Sequence, residues 1–257
     1  MDDTYQEYVN RVVPMTLCTT HRQQVQHIQK SPKFEDGKAI PFPGYTLTTP
    51  PWEDDSFNEL VYQSLQTYQT QLQEKLGDNI LIPIPTSSFH VTLADLIWEN
   101  NYRNTLAHNP QFEEKICKRI TQSFQQYQEK YSLSQSINFQ LLGFTILTRA
   151  IVICLAPSNE KEYERLSYLR RMIYQNKKLI GLGIQQQYHF TAHITLGYFN
   201  EISNNLNREK IVETLESLND KLLENPLPEL VVKEAHLRQF DDMLRYYRKD
   251  SFPILTI

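Results

Sequence analysis

Two tetrapeptides in this chain nearly repeat each other: His90-Val91-Thr92-Leu93 and His193-Ile194-Thr195-Leu196. Each sits in a β-rich run, and side chains alternate faces along a strand. A strand over the first run puts Thr86, Ser88, His90 and Thr92 on one face and Phe89, Val91 and Leu93 on the other. A strand over the second groups His189, Thr191, His193 and Thr195, backed by Phe190, Ala192, Ile194 and Leu196. Each run thus offers imidazoles and hydroxyls on a rigid apolar backing. Two imidazoles with unperturbed pKa values of ~6.5 can hold opposite protonation states near neutrality. One takes a proton from water or a hydroxyl while the other gives one to a leaving oxygen. A Thr hydroxyl two residues on points the same way and can donate to a phosphate oxygen. Two His and two Thr around one phosphorus supply base, acid and charge stabilisation without a metal.

A single H-x-T-L would read as an ordinary solvent-facing strand, because Thr is favoured in strands. With seven His in 257 residues, two chance matches are expected on the order of once in a thousand such sequences. The copies also lie one in each half of the chain, as an internal duplication would place them.

Other routes to chemistry are closed. The chain has seven Gly, and its only G-x-G is Gly181-Leu182-Gly183, so neither a P-loop nor a dinucleotide fingerprint exists. Any phosphate must be held by side chains. There is no H-E-x-x-H and no C-x-x-C, and Cys18, Cys117 and Cys154 are far apart, so no metal site, disulfide framework or cofactor is expected. Free thiols favour a reducing cytosol. A net charge of -4 and a pI near 6.0 argue against coating long nucleic acid but leave room for a local patch. Met1-Asp2-Asp3-Thr4 lacks the regions of a signal peptide. The longest apolar run, Ala150 to Pro157, is too short to span a membrane, so a cytoplasmic location is expected.

The elements that must position the motifs follow from periodicity. Apolar residues at helical spacing predict helices over 53–77, 110–130, 159–176 and 206–224. Strands are predicted over 45–49, 79–98, 188–199 and 230–240, with a hairpin over 137–156 whose turn lies near Arg149. Residues 1–35 form a polar N-terminal extension with helix-like stretches, ahead of loops marked by Gly37, Pro41, Pro43 and Gly44. Hairpins mixed with helix–strand alternation predict an α+β fold with largely antiparallel sheet, with 1–257 as a single domain.

With both H-x-T-L motifs in view, the sequence resembles the two-histidine (2H) phosphoesterase superfamily, which includes the bacterial RNA ligase/cyclic nucleotide phosphodiesterases. The lead-ins Pro83-Ile84-Pro85 and Tyr188-His189-Phe190 match the surroundings of its motifs, as do Gly143-Phe144, Leu155-Ala156-Pro157 and Gly197-Tyr198. Phe42-Pro43-Gly44, Leu169-Arg170-Arg171 and Phe240-x-x-Met243 resemble an uncharacterised bacterial branch, so the likeness covers roughly 33–245. It implies a bilobal, pseudo-twofold fold over 1–257, with two largely antiparallel sheets facing a central groove and helices outside. It also implies hydrolysis or transesterification of a phosphodiester, often a cyclic phosphate on a nucleotide or an RNA end. His90 and His193 are then acid and base in an order the motifs leave open, and Thr92 and Thr195 bind the phosphate. A non-catalytic nucleotide-binding or sensory module on the same fold is the alternative.

Other candidates are a possible substrate pocket at Tyr45, Arg149, His189 and Tyr198, and base-stacking positions at Phe144 and Trp98. Arg170 and Arg171 read as a solvated helix face, and Cys154 as a buried thiol. The role of residues 1–35 and the oligomeric state are left open.

Overall fold

Apolar spacing, turn residues and two sharp interruptions at proline set the order of elements. The computed structural model describes residues 3–131 and 135–257. Met1 and Asp2, which open the acidic N-terminus, and residues 132–134 lie outside the described residues. The chain begins with α1 (Tyr5–Val12) and α2 (Cys18–Gln24), then a small hairpin, β1 (Phe34–Glu35) and β2 (Lys38–Ala39). Then come β3 (Gly44–Thr48), α3 (Glu59–Leu76), β4 (Leu81–Pro83), β5 (Thr92–Trp98), α4 (Glu99–His108) and α5 (Phe112–Lys130). The long hairpin of β6 (Ile137–Leu147) and β7 (Ala150–Pro157) leads to α6 (Glu160–Tyr174), α7 (Lys177–Ile180) and β8 (His193–Phe199). The chain closes with α8 (Arg208–Glu224), β9 (Leu230–Val232), β10 (Glu234–Phe240) and β11 (Ile254–Thr256).

Two antiparallel sheets carry the motifs, and the fold is α+β. One sheet has the order β11-β10-β3-β5; the other has the order β4-β8-β7-β6-β9. The first motif runs into β5 and the second into β8, so each sheet holds one. Helices α4 and α6 pack on β5, with α5 against α6, while α3 packs on β4 and β8 and α8 on β6. In α3 the buried residues Val61, Tyr62, Leu65, Tyr68, Leu72 and Leu76 keep helical spacing, and Gly77 at φ +81 ends the helix.

The apolar backs of the motifs lie in the main core. Phe89, Val91, Leu93, Ala192, Ile194 and Leu196 are each at most 1% exposed. Burying each large apolar side chain is worth about 1.5–3 kcal/mol. A one-residue slip would turn the histidines into that core, so the packing fixes which face the imidazoles take.

Three expectations change. The run 79–98 is not one strand: Pro83 and Pro85 interrupt it, a 3-10 turn forms at Thr86–Ser88, and β4 and β5 belong to different sheets. Thr86 and Ser88 therefore do not extend a strand face, and the Ser88 hydroxyl donates to the Pro85 carbonyl at 2.7 Å. The second motif strand begins at His193, not at residue 188. Helix α4 is an addition; Tyr102 is its one buried residue, too weak a pattern to betray it. Among the described residues no helix is long and apolar enough to cross a membrane.

Candidate active site

Between the two sheets lies a groove of about 350 Å³, and His90, Thr92, His193 and Thr195 all line it. The two histidines are held alike. His90 Nδ1 lies 2.7 Å from the Ser88 carbonyl, and His193 Nδ1 lies 2.7 Å from the Thr191 carbonyl. A carbonyl only accepts, so each ring carries its proton on Nδ1 when neutral. Each Nε2 is then the basic nitrogen left for a ligand. Thr92 Oγ1 lies 3.4 Å from His90 Nε2, at the long end of hydrogen bonding.

The strands leave simple alternation at the motifs. Along β3–β5 the pairing passes from Leu47↔Ala94 to Thr48↔Thr92, which leaves Leu93 as an extra residue, and Leu96 is extra between Ile97 and Asp95. Along β7–β8 the pairing passes from Ile151↔Gly197 to Val152↔Thr195, which leaves Leu196 extra. The fourth residue of each motif is thus a β-bulge. Bulges re-aim the side chains that follow. In β5 the groove therefore receives Thr92, Asp95 and Trp98, spaced by three, and in β8 it receives His193, Thr195 and Tyr198.

A bulge leaves carbonyls that the ladder does not use, and buried carbonyls need donors. The Arg170 guanidinium on α6 donates to the Leu93 carbonyl, and the Tyr174 hydroxyl, one turn on, donates to the Asp95 carbonyl at 2.9 Å. In the other sheet, Gln69 Nε2 on α3 donates to the Leu196 carbonyl at 2.7 Å and the Ile84 carbonyl at 2.8 Å. Each motif bulge is capped by a polar side chain from a helix lying behind it. Arg170 is 6% exposed, so its expected place on a solvated helix face is wrong. It shares the helix face of Leu166 and Ile173, both buried, and that spacing was the available signal.

Burial lowers the proton affinity of both imidazoles. His90 is pushed down to about 4, mainly by desolvation, against the help of the Ser88 carbonyl, with further opposition from any charge on His193 and from the Arg238 guanidinium. His193 is also pushed down by desolvation, but the Thr191 carbonyl and the Asp95 carboxylate favour its charged form while Lys33 opposes it. Asp95 also accepts a hydrogen bond from the Tyr188 hydroxyl at 2.7 Å, which, with burial, raises the Tyr188 pKa. Lys33, Arg149 and Arg170 bring positive charge to the groove lining, and Asp95 and Glu99 bring negative charge. Among the described residues no three His, Cys, Asp or Glu side chains gather as a metal site would require.

The remaining candidates fall in different places. Tyr45 lines the groove, 2% exposed, with its hydroxyl donating to Glu113 at 2.9 Å. Arg149, in the β6–β7 turn, also lines it and donates to Gln29 at 3.3 Å. Tyr198 and Trp98 line it, and Lys33 Nζ lies 5.0 Å from the centre of the Tyr198 ring. His189 does not line the groove; it is exposed, with Nδ1 3.1 Å from Asp3. Phe144 is fully buried against Tyr68. The Cys154 thiol is buried, with its pKa pushed up to about 12. Sequence reasoning missed Asp95, Tyr188, Lys33 and Tyr246. The Tyr246 ring centre lies 4.2 Å from that of His90, in a segment that packs Phe240 and Met243 beside the groove.

Comparison with known families matches residues 33–146 to the 2H-phosphodiesterase model, described as a domain of unknown function (DUF1868). The matched stretch holds the first motif and ends before the second. The match joins the paired motifs as a second sign of likeness to the two-histidine phosphoesterases. Among solved structures, a conserved protein of unknown function from Agrobacterium tumefaciens shares the fold. Its TM-score is 0.54 at 13% identity, over 93% of this chain and 97% of that one. LigT from E. coli in apo form gives a TM-score of 0.44 at 12% identity, covering 85% of this chain and 99% of that one. LigT complexed with 3'-AMP gives 0.41 at 14%, covering 81% and 94%. No curated protein matches the sequence.

Proposed function

We propose that this protein is a phosphodiesterase that opens a cyclic phosphate on a nucleotide or an RNA end by His/His acid–base catalysis. The match of residues 33–146 to the 2H-phosphodiesterase model supports a phosphoesterase activity. The observation that carries the finer reading is the matched pair of imidazoles, each locked through Nδ1 onto the carbonyl two residues back and each lining one groove.

In this mechanism a water oxygen attacks phosphorus while one imidazole Nε2 takes the water's proton. The P–O bond to the ribose oxygen breaks, and the other imidazolium returns a proton to that oxygen. The Thr92 and Thr195 hydroxyls donate to the non-bridging oxygens. The charges favour His90 as base and His193 as acid. Arg238 opposes a proton on His90, whereas the Asp95 carboxylate favours one on His193. The aromatic rings of Trp98, Tyr188 and Tyr198 offer faces to a base.

The test is a screen of 2′,3′-cyclic nucleotides, cyclic oligonucleotides and RNA ends, with products identified by mass. His90→Ala and His193→Ala should each lower turnover by about 10²–10⁴-fold, the usual worth of a positioned acid or base. Full activity in either variant overturns the proposal. Tight binding of a cyclic nucleotide with no product would mark a sensory module instead.

A further inference from the structure

We infer that the N-terminal helix α1 is a positioning element for His193, acting through the segment that carries its anchoring carbonyl. The two motifs differ in what holds their lead-ins. Before His90 the chain closes on itself. The Ser88 N–H and hydroxyl both donate to the Pro85 carbonyl, the Phe89 N–H donates to the Thr86 carbonyl, and the Phe89 carbonyl accepts from the Trp52 N–H. Before His193 the chain makes no such turn. Residues 189–192 are irregular, and α1 supplies much of their support.

That support is specific. The Ala192 N–H donates to the Tyr8 hydroxyl at 3.1 Å, and the same hydroxyl donates to the Leu155 carbonyl at 2.7 Å. Arg11 donates through Nη2 to the Phe190 carbonyl at 2.6 Å and through Nη1 to Thr191 Oγ1 at 2.8 Å. Asp3 steadies the guanidinium at 2.8 Å. Three successive residues, Phe190, Thr191 and Ala192, are thereby pinned by one face of one helix. The Thr191 carbonyl in their midst is the group that fixes the His193 tautomer.

The helix is itself well anchored. Thr4 and Glu7 form a capping box at its start. Tyr8 and Val12 are fully buried in a cluster with Cys154, Ala156 and Tyr163, and Tyr5 donates to the Pro157 carbonyl at 3.0 Å. Because the planar fork of Arg11 serves Phe190, Thr191 and Asp3 at once and the Tyr8 hydroxyl both donates and accepts, neither role passes without loss to a side chain that lacks the fork or the hydroxyl.

Tyr8→Phe and Arg11→Lys test this, with Arg22→Ala as control. Arg22 lies in the same N-terminal region but pairs with Glu209 on α8. Side-chain ¹⁵N spectra report tautomer and titration of His90 and His193 separately and need no substrate. In Tyr8→Phe the His193 signals should move from the Nδ1–H form towards a mixture and its titration midpoint should shift, while His90 stays put. Arg11→Lys should give a smaller change of the same kind, and Arg22→Ala none. If the protein turns over a cyclic phosphodiester, kcat should fall about 10-fold or more in Tyr8→Phe with KM within roughly 2-fold, the cost of a misplaced catalytic group. A His193 spectrum unmoved in both variants, or one that moves no more than that of His90, overturns the inference. A wild-type protein with no turnover overturns the proposed activity but leaves the spectroscopic result to stand or fall on its own.

Discussion

An anion entering the groove should bring a proton with it, and that proton should settle on His193. Burial holds both rings neutral at pH 7, with His90 pushed down to about 4 and His193 also below its ordinary value. A unit negative charge ~4 Å from an imidazolium at an effective dielectric of ~20 is worth about 4 kcal/mol. At 1.36 kcal/mol per unit, that is a rise of about 3 pKa units. Applied to His90 alone, it would bring the ring only to the edge of protonation at neutral pH. His193 has a carboxylate, Asp95, already favouring its charge. Once it is protonated, its charge opposes a second proton on His90. Binding at pH 7 should therefore take up close to one proton, and affinity should rise roughly tenfold for each unit the pH falls through neutrality. Sulfate is a suitable probe, because its own charge is constant there and it stands in for the phosphoryl oxygens. Calorimetry in two buffers of different ionisation enthalpy reads the uptake directly. It should persist near one proton in His90→Gln and fall to about half a proton or less in His193→Gln, where only His90 is left to take it up. Sulfate binding without uptake, or uptake lost in the opposite variant, would refute both the electrostatics and the assignment of acid and base.

Stability should fall as the solution is acidified. An unfolded histidine titrates near ~6.5 and a depressed one lower, so the folded state binds fewer protons across that window and loses stability as pH drops through it. For His90, whose value is pushed down to about 4, the loss between pH 7 and pH 5 is about 2 kcal/mol. His90→Gln should flatten the profile of urea midpoints by that amount, and an unchanged profile would show that the groove imidazole is not desolvated. Gln69→Leu removes a side-chain donor from the Ile84 carbonyl and from the Leu196 carbonyl, which keeps only the Ile84 N–H at 3.2 Å. It should cost about 2 kcal/mol or more in chemical unfolding; a neutral result would mean that water reaches the bulge. Gly44→Ala would place a Cβ 2.4 Å from the Ile97 carbonyl oxygen and 2.7 Å from the Phe240 ring. Its melting temperature should drop by several degrees, as expected for about 1–3 kcal/mol of overpacking.

The paired motifs were legible because they alternate: His90 and Thr92, like His193 and Thr195, are two apart, and their apolar partners are buried. Legibility ended where the alternation did. Nothing in Leu93-Ala94-Asp95-Leu96 announces a bulge, so Asp95 would be read onto the buried face of a regular strand, although its carboxylate lies in the groove. His189 is the converse case, placed beside His193 by a period that had not yet begun. The helices were legible within a few residues, since α3, α5, α6 and α8 bury apolar side chains at helical spacing. Tyr246 and Lys33 were not, because loops bring them to the groove and loop geometry has no period.

The sheet that carries the first motif has a temporal consequence. Its strand β3 sits between β5 and β10, so residues 44–48 find one neighbour at 92–98 and the other only at 234–240. Such separations make closure slow, because a long chain must be gathered before the contacts reward it. During synthesis the edge of β3 stays open until residues 234–240 have emerged. Phe240, Met243 and Tyr246 are the last of the groove-lining residues to be made. A nascent or truncated chain therefore presents both histidines without a finished groove around them until those residues arrive.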